Sequence, residues 1–518
     1  MNQFLKTTLL IFLFHYSTTT FAQQPDWKNQ ISCIVYSHCT SCHNPNGLAP
    51  FSLTTYQQAY DNRNSILASV EEKHMPPYLP NTEYSHFGDE KVLKSKEIEL
   101  IRKWVNAGAP EGINSQPLPE PEYTSGEIIT QPDQRLSIPQ FTIPNTGNDL
   151  YQAFVISNPT TLVRYIDSLE VVPGNRNIVH HVLVFQDTSY QVVNNDSSFA
   201  GPGYTSFGGV GSNTAKLIAT WVPGSAINTY PSGMGVRIEP GARIVVQIHY
   251  PMNAEGQSDN THLNISFSNT ALRNVNIAPI LNSRNLTNGP LVIPADSTRI
   301  FHAQYTVPVN LTAVSVGPHA HLICRSFECY GITPIGDTIK LIKIDNWDFH
   351  WQGSHPFRQP IKVLAGTILH SYAFYDNTEN NPENPNSPPQ IVTQGEGTTD
   401  EMMLIYFGFL TYQNGDEDLV IDTSSHSKHY LDCDAGLQID NGDSSKQIIV
   451  YPNPAHNYIK INIPNNPVFS TDIYNSIGQL VSRTSNQDYI NIATLNSGIY
   501  FVKIKYNNTV VTKKILKY

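Results

Sequence analysis

The sequence predicts a mainly β protein with one small helical module near its N-terminus. Turn-forming residues are frequent, with 36 Pro and 31 Gly in 518 residues. They separate short runs rich in Val, Ile, Thr and Tyr, which favour strands. Clear helical periodicity is confined to residues 95–108, where apolar residues recur on one face. A chain of this length accommodates three or four domains.

Residues 1–22 are predicted to be a secretory signal peptide. Lys6 precedes an apolar run at residues 9–14, and Ala22 ends a small-residue cleavage site. The run is too short to span a bilayer and no later run is long enough, so no transmembrane segment is expected. The net charge of -11 argues against nucleic acid as a partner. We therefore expect an exported protein in a compartment that permits disulfides.

The next region, residues 27–113, contains the unit Cys39-Thr-Ser-Cys42-His43. This is the pattern of covalent c-type haem attachment, in which two thiols bond the porphyrin and the adjacent histidine ligates iron. A disulfide and a thioredoxin-like redox pair are the alternatives. The histidine at the next position and the absence of a βαβ pattern favour haem c.

A sixth iron ligand is expected downstream, in the stretch Lys73-His-Met-Pro-Pro-Tyr78. Met75 is the preferred candidate because the two prolines deny it a helix, and His74 is its rival. A His/Met ligand pair raises the haem potential and suits an electron carrier. The module closes with a helix that Ser95 is predicted to cap and that Gly108 ends. Residues 27–113 resemble small cytochrome c domains, and residues 114–126 form a Pro-rich linker.

The region from residue 127 to residue 435 shows strand-length runs between turn signals, which suit two β-sandwiches better than one. Six side chains that suit a metal occur in it in the order His180, His181, His249, His319, His321, Met402. His319 and His321 lie two apart in a predicted strand that continues through Leu322 and Ile323, so both can reach one ion. Adjacent His180 and His181 can share an ion only at a twist, bulge or strand end, and we predict such an irregularity there. Taken singly, each of these residues also has an ordinary structural role in a sheet or a core.

As an ordered set, these residues resemble the copper type II, ascorbate-dependent monooxygenases, the family of peptidylglycine alpha-hydroxylating and dopamine beta-monooxygenases. The resemblance implies two jelly-roll β-sandwich copper domains, at residues 127–275 and 276–435, that face each other across open solvent. It assigns His180, His181 and His249 to an electron-storing copper. It assigns His319, His321 and Met402 to an oxygen-activating copper. The residue types agree, because imidazole suits copper and a thioether stabilises its cuprous state.

Ligand patterns of other copper proteins are missing from the sequence. It contains no His-Cys-His run of a multicopper oxidase, and Cys324 lies too near His321 for a blue-copper site. Signal cleavage after Ala22 would leave Gln23, not the N-terminal histidine of a lytic polysaccharide monooxygenase.

Two departures from the family concern the substrate. Gly317 stands where the peptide-hydroxylating member has a carboxylate-binding arginine, and Leu404 replaces an asparagine. Tyr406, four residues after Met402, matches a family tyrosine and is a further catalytic candidate. A small organic or peptide-like substrate is expected together with dioxygen. A peptide ending in glycine is not favoured over an apolar or phenolic C–H donor.

Four cysteines remain after haem attachment. Cys324 and Cys329 would lie roughly 16 Å apart on one extended strand, beyond disulfide reach. Each must pair elsewhere, stay free or flank a kink. A Cys33–Cys433 bridge is one available pairing and would tie the haem module to the end of the copper region.

Residues 448–518 form a small β pattern that includes Val450-Tyr-Pro-Asn-Pro454 and a basic end at Lys513-Lys-Ile-Leu-Lys-Tyr518. It resembles the C-terminal sorting domains of the type IX secretion system, with an ordinary adhesive β-sandwich as the alternative. The resemblance implies the type IX machinery as a partner and an extracellular or cell-surface location. Whether the domain is cleaved stays open.

The expected function is that of a secreted monooxygenase that inserts one oxygen atom of dioxygen into a C–H bond. Its expected cofactors are two copper ions and one haem c. The haem is expected to pass electrons to the three-histidine copper, replacing or relaying ascorbate or another one-electron reductant. One alternative is a non-catalytic electron-transfer or copper-binding surface protein. Another is a monooxygenase reduced only by small molecules, with the haem as a sensor.

Overall fold

The computed structural model describes residues 24–45, 47, 49–113, 118, 127–158, 160–225, 227–419, 449–451, 455–462, 469–475, 479–506 and 509–517. The predicted signal peptide and almost all of the predicted linker lie outside these ranges. The chain forms two compact units, residues 1–433 and 434–518. Strands dominate both units, which confirms the mainly β prediction. Within the described ranges, the helices are too short or too polar to cross a bilayer.

The N-terminal module is helical. It begins with a π-helical turn, Trp27–Ile31, and continues with α1 Ser32–His38, α2 Tyr56–Asp61, α3 Arg63–Glu71 and α4 Ser95–Asn106. Its core includes Trp27, Ile34, Ile101 and Trp104.

The predicted start of the last helix, α4, is off by one residue. Ser95 is the first helical residue and Lys94 is the N-cap. Glu97 accepts the Lys94 backbone N–H at 2.7 Å, which is the glutamate half of a capping box. Gly108 follows the helix with φ +83°, which glycine adopts without strain.

A first two-sheet β-sandwich follows the helical module. Its strands are β1 Gln134–Ser137, β2 Phe141–Thr142, β3 Leu150–Ile156, β4 Arg164–Val172, β5 His181–Asp187, β6 Tyr204–Thr205, β7 Lys216–Trp221, β8 Asn228–Thr229, β9 Met234–Ile238, β10 Arg243–Tyr250, β11 Ser258–Asp259, β12 His262–Phe267 and β13 Arg273–Asn274. One sheet has the order β1-β12-β4-β9-β13, with β8 also paired to β4, and the other has the order β6-β3-β10-β5-β7. Both sheets contribute side chains to one core, such as Leu263 and Val246. A short helix, α5 Gln191–Ser197, lies between β5 and β6.

A second β-sandwich follows directly. Its strands are β14 Asn276–Asn282, β15 Val292–Ile293, β16 Ser297–Thr306, β17 Leu311–His319, β18 Cys324–Ile332, β19 Thr338–Ile344, β20 His355–Val363, β21 Ile368–Asn377, β22 Val392–Thr393 and β23 Leu404–Thr411. The two main sheets have the orders β14-β23-β17-β20 and β16-β21-β18-β19. Phe327 and Ile405 from the two sheets meet in its core, which also contains Phe87 of the helical module. Single 3-10 turns occur at Phe349–Trp351 and Asp416–Asp418.

The C-terminal unit is a smaller two-sheet structure. Its strands are β24 Ile449–Tyr451, β25 Tyr458–Asn462, β26 Phe469–Asn475, β27 Leu480–Ser485, β28 Tyr489–Asn491, β29 Gly498–Tyr506 and β30 Thr509–Lys517. They form sheets of order β24-β25-β28 and β27-β26-β29-β30. Ile459, Ile473 and Ile515 belong to the core that the two sheets share.

Candidate metal centre

Three histidines converge at one end of the first sandwich. Strand β5 begins at His181, which lies opposite His249 on β10. His180 immediately precedes the strand, and its backbone N–H donates to the His249 carbonyl at 2.9 Å. This strand end is the irregularity that the sequence predicts, because it frees His180 from the alternation of a flat strand. The candidate ligand nitrogens of the three residues lie within 4.8 Å of one another.

The geometry of this cluster fits a metal ion. His180 Nδ1 and His181 Nδ1 are 3.4 Å apart, the spacing of two nitrogens that each lie about 2.0–2.1 Å from one ion. His249 is only 1% exposed, and neither of its ring nitrogens has a hydrogen-bond partner among the described residues. Asp149 Oδ2 lies 3.4 Å from His249 Nε2, within ion-pair distance. A buried imidazole without a hydrogen bond is costly, and a bound metal would satisfy it.

The second histidine pair lies at the end of strand β17. His319 is the last residue of the strand, and His321 follows in the connection to β18. The sequence-based extension of the strand through Leu322 and Ile323 is wrong, because these residues form a turn. The two rings still come together, with centroids 5.4 Å apart and planes at 87°.

Hydrogen bonds orient both rings of this pair. His319 Nδ1 donates to Gln352 Oε1 at 2.5 Å, and His321 Nδ1 donates to the Asp400 carbonyl at 3.0 Å. Each bond fixes the tautomer that leaves Nε2 unprotonated. Both rings therefore leave Nε2 available to a metal.

Met402 is held beside this pair through Glu401, a residue that the sequence reasoning missed. Glu401 is fully buried, and its Oε2 accepts the backbone N–H groups of His321 at 2.9 Å and Met402 at 3.0 Å. Its Oε1 accepts those of Ile323 and Cys324. Burial raises the pKa of Glu401 to about 8, against the opposing effect of these four donors. One carboxylate thus fixes the backbone of two predicted ligands.

The two sets of ligands are contiguous, which corrects the expectation of open solvent between them. The ring centroids of His181 and His319 are 6.4 Å apart. Phe349 stacks on His180 at 4.8 Å and meets His321 edge-on at 5.8 Å. The five histidine rings therefore form one cluster, which we call the five-histidine cluster.

Side-chain contacts between the two sandwiches lie beside this cluster. Tyr151 stacks on His249 with centroids 4.3 Å apart, and its hydroxyl donates to the Glu396 carbonyl at 3.1 Å. Thr398 hydrogen-bonds Asp149 at the same place. The loop that leads to Met402 is therefore anchored beside the three-histidine cluster.

Burial keeps four histidines of the cluster neutral, namely His180, His181, His319 and His321. It lowers the pKa of His180 to about 3, of His319 to about 3 and of His321 to about 4. The pKa of His181 is also lowered well below its ordinary value, by burial and then by His249. Metal ligation requires unprotonated nitrogens, so these rings are ready to bind at neutral pH.

Tyr406 and Gly317 face each other across the β17–β23 ladder. They lie two residues from the His319–Leu404 pair, so all four positions share one face of the sheet. Burial raises the pKa of Tyr406 to about 12, so the phenol is protonated at neutral pH. A Cβ at residue 317 would lie 3.0 Å from the Gly353 carbonyl oxygen. An arginine at this position would therefore displace the 349–355 loop.

The haem-binding pattern lies at the end of α1. Cys39 caps the helix, and the His43 backbone N–H donates to its carbonyl at 2.9 Å. Both Cys39 and Cys42 are half-buried free thiols. His43 Nδ1 donates to the Phe51 carbonyl at 3.0 Å, which leaves Nε2 for iron. These residues fit covalent haem attachment.

The candidates for the sixth iron ligand follow α3. Met75 is 37% exposed and its backbone N–H donates to the Ser69 carbonyl at 3.1 Å. The His74 ring is more exposed and lies 3.3 Å from Glu72. Met75 stays the preferred candidate.

The structure describes three of the four remaining cysteines. Cys324 and Cys329 are buried, free thiols on β18. Cys33 is disulfide-bonded. Cys433, the partner suggested by the sequence, lies outside the described residues.

Several residues that shape the cluster escaped the sequence reasoning, namely Asp149, Tyr151, Phe349, Gln352 and Glu401. None lies at a ligand-like spacing from the histidines. The adjacency of Glu401 to Met402 is the one local signal that was available in the sequence. Tyr151 reaches the cluster through its pairing with His249 across β3 and β10, and Phe349 reaches His180 because the two sandwiches pack together.

Comparison with known proteins identifies one part of the chain. The secretion system C-terminal sorting domain matches residues 449–518. No curated protein matches the chain.

Matches to solved structures are weak. A Faecalibacterium prausnitzii beta-glucuronidase is 10% identical, with 42% of this chain and 37% of that chain covered and a TM-score of 0.12. A Ruminococcus gnavus beta-glucuronidase is 10% identical, with 43% and 35% covered and a TM-score of 0.13. The oxalate decarboxylase of Bacillus subtilis is 9% identical, with 62% and 85% covered and a TM-score of 0.11. The chain spans little more than a third of the glucuronidases it matches, and TM-scores this low do not indicate a shared fold.

The sorting domain settles the destination of the protein. Residues 449–518 are a secretion system C-terminal sorting domain, so this is an exported protein of the cell surface or extracellular space that interacts with the type IX secretion machinery.

Proposed function

We propose that this protein is a secreted haem- and copper-containing monooxygenase that hydroxylates a C–H bond of a small organic substrate. The observation that carries the proposal is the five-histidine cluster, where neither ring nitrogen of buried His249 has a hydrogen bond to a described residue, beside His180 and His181. The neighbouring pair, His319 and His321, presents two further nitrogens of fixed tautomer. Two adjacent nitrogen-rich sites suit copper better than a hard cation.

In this proposal His180, His181 and His249 hold one copper and His319, His321 and Met402 hold the other. Copper at these positions would supply one-electron redox chemistry and activation of dioxygen. The reaction consumes the substrate C–H, dioxygen, two electrons and two protons, and it yields the alcohol and water. The cytochrome c-like module, with Cys39, Cys42 and His43, is the proposed source of electrons.

The protein side chains orient and shield this chemistry. Gln352 and the Asp400 carbonyl aim the two Nε2 atoms, and Glu401 fixes Met402 relative to His321. Tyr151 and Phe349 cover the rings on two sides and reduce water access.

The substrate proposal follows from the loop beside Gly317. Gly317 has no side chain, and a Cβ added there would lie 3.0 Å from the Gly353 carbonyl oxygen, so this position offers no cation to anchor a substrate carboxylate. We therefore favour a neutral or phenolic C–H donor over a peptide ending in glycine.

Substitution of Met402 by alanine tests this function. The probe is a phenolic arylalkylamine supplied with ascorbate and ¹⁸O-labelled dioxygen, and the readout is the mass of the product. The wild type should bind two coppers and add one labelled oxygen per product. Met402→Ala should reduce product formation by about a hundredfold, because a soft ligand is lost. Its haem spectrum should stay unchanged.

Met403→Leu is the matched control. Met403 is 1% exposed and belongs to the core of the second sandwich, and Leu conserves its volume. This variant should turn over at the wild-type rate. Product formation that survives Met402→Ala, or binding of fewer than two coppers, would contradict the proposal.

A second candidate is a non-catalytic electron-transfer protein on the same scaffold. The close packing of the His181 and His319 rings favours it, since little space separates the two sets of ligands. This candidate predicts that the haem reduces copper reversibly. It also predicts that neither the wild type nor Met402→Ala nor Met403→Leu forms any labelled product.

A further inference from the structure

Residues 78–91 connect the helical module to the second sandwich. We call these residues the docking segment. Asn81 N–H donates to the Lys343 carbonyl at 2.8 Å, and Gly88 N–H donates to the Pro356 carbonyl at 2.8 Å. Phe87 is fully buried and stacks on Phe357 with centroids 5.5 Å apart. Backbone hydrogen bonds and a core aromatic side chain make this a fixed connection. It begins three residues after Met75.

The docking segment places an aromatic junction inside the interface. The Tyr78 and His355 rings are 5.7 Å apart at 78°, and His355 also contacts Phe87 at 5.5 Å. His355 Nδ1 donates to Asp89 Oδ2 at 3.0 Å. His355 is 7% exposed, so the junction lies largely out of water.

Tyr78 carries an unexplained feature. Its hydroxyl is buried and has no hydrogen-bond partner among the described residues. A buried hydroxyl without a hydrogen bond is unfavourable, and phenylalanine would fill the same space without it. The contacts of Tyr78 give the hydroxyl no structural explanation. The ring, which contacts His355, is the candidate for a functional role.

A short path leads from this junction to the five-histidine cluster. His355 is the first residue of β20 and pairs with Val316 on β17, three residues before His319. Three residues before His355, Gln352 accepts the hydrogen bond from His319 Nδ1 at 2.5 Å. The path from Tyr78 to His319 therefore consists of one ring contact, one short stretch of backbone and one hydrogen bond.

We propose that electrons leave the haem module at Tyr78 and reach His319 through His355 and Gln352, so that they enter at the His319–His321 site. This proposal rests on the proposed haem and copper sites and revises the expected entry at the three-histidine copper. Each transfer oxidises a ferrous haem iron to ferric and reduces one cupric ion to cuprous. No bond is formed or broken and no proton moves. Electron transfer through protein weakens steeply with distance, so this junction is favoured over routes through solvent.

The test uses the full-length protein with ferric haem and cupric copper, without oxygen or substrate. A light pulse in the presence of a flavin photoreductant reduces the haem, and its absorbance reports reoxidation. In the wild type, reoxidation should be independent of protein concentration. Tyr78→Leu should slow it at least tenfold, whereas Tyr78→Phe, which keeps the ring, should stay within twofold. Equal rates in the wild type and Tyr78→Leu would overturn the proposal.

A second pair of variants identifies the entry site. His249→Ala should leave the fast phase of haem reoxidation, and His319→Ala should remove it. The opposite pattern would overturn the proposal in favour of the three-histidine copper. Amide hydrogen exchange at Asn81 and Gly88 must match the wild type in Tyr78→Leu. If hydrogen exchange shows that Tyr78→Leu has lost the docked segment, His355→Leu takes its place, because His355 lies in the second sandwich. His355→Leu should also slow haem reoxidation at least tenfold, and a rate equal to that of the wild type would overturn the proposal.

The haem-reoxidation test requires neither dioxygen nor a substrate. Its result therefore bears on the electron path alone, and the hydroxylation assay bears on the monooxygenase. Fast intramolecular reoxidation without any labelled product would contradict the monooxygenase and support the junction. Hydroxylation driven by ascorbate would support the monooxygenase. If the rate of haem reoxidation were then unchanged by substitution of Tyr78 or His355, the proposed junction would be overturned.

Discussion

At the scale of single residues, the two sets of histidines offer different ring nitrogens. His180 and His181 approach each other through Nδ1. His319 and His321 use Nδ1 for hydrogen bonds and leave Nε2. The difference follows from position, because a strand end brings the first pair together directly. The second pair needs outside acceptors to set its tautomers.

Removal of the acceptor on His319 should weaken copper binding. In Gln352→Leu the ring loses the partner that fixes its tautomer, and comparable losses cost about 10- to 100-fold in metal affinity. Cu(I) titration against a competing chelator should show one weakened site and one unchanged site. Gln390→Leu, at an exposed position, serves as the control and should stay close to the wild type. Equal affinity in Gln352→Leu would exclude an orienting role.

Some residues of the candidate site could be predicted from the sequence, and others could not. The histidines and Met402 were found from residue type and order, which are properties of the chain. Glu401 was missed because its importance depends on four backbone N–H groups that converge on it only in the folded structure.

At the scale of elements, strand β13 connects the two sandwiches. It pairs in parallel with β9 of the first sandwich. Its Arg273 binds Asp416 through two hydrogen bonds of 2.5 and 2.9 Å, and it also donates to the Thr411 carbonyl at 2.6 Å. Asp416 additionally accepts from Thr312 of β17. This buried carboxylate therefore fixes the end of the second sandwich to the first.

Asp416→Asn should destabilise the protein and change its response to acid. Burial opposes ionisation of Asp416, but its partners, Arg273 first, outweigh burial and lower the pKa from 3.8 to about 2. A lowered acid pKa gives stability that is present above pH 4 and is lost as the pH falls toward 2. The substitution should cost about 2–3 kcal/mol at pH 7, the range for hydrogen bonds to a charged group.

Urea unfolding at several pH values measures this effect. The decline of stability between pH 4 and pH 2 should be shallower in Asp416→Asn than in the wild type. Exposed Asp418, two residues away, offers the control Asp418→Asn, which should behave like the wild type. Parallel acid profiles for the wild type and Asp416→Asn would contradict the prediction.

At the scale of the whole molecule, the sorting domain and the proposed metal site lie in separate units. The sorting domain lies within the compact unit of residues 434–518. It has its own core and a buried acid, Asp472, which binds the exposed side chains of Arg483 at 2.5 Å and Lys505 at 2.9 Å. All candidate haem and copper ligands lie in the other unit.

Deletion of residues 434–518 should therefore separate the two properties. The shortened chain should keep two coppers, one haem and its haem spectrum, because the deleted unit contains no candidate ligand. It should accumulate inside the cell envelope of a host that carries type IX secretion, whereas the full chain reaches the medium or surface. Cell fractionation and metal analysis provide the measurements. Release of the shortened chain at the full level would contradict the assignment of sorting to this unit.

The sequence by itself determined the mainly β class and the sorting domain, and it supplied the predicted haem-attachment unit and the order of the candidate copper ligands. These features depend on residue type, spacing and local periodicity, which the chain carries without reference to its fold. Only the tertiary structure decided that the two sets of ligands lie in contact and that the 349–355 loop covers Gly317. It also placed Tyr78 against His355. These facts arise from packing between distant segments, and no local pattern encodes which surfaces meet.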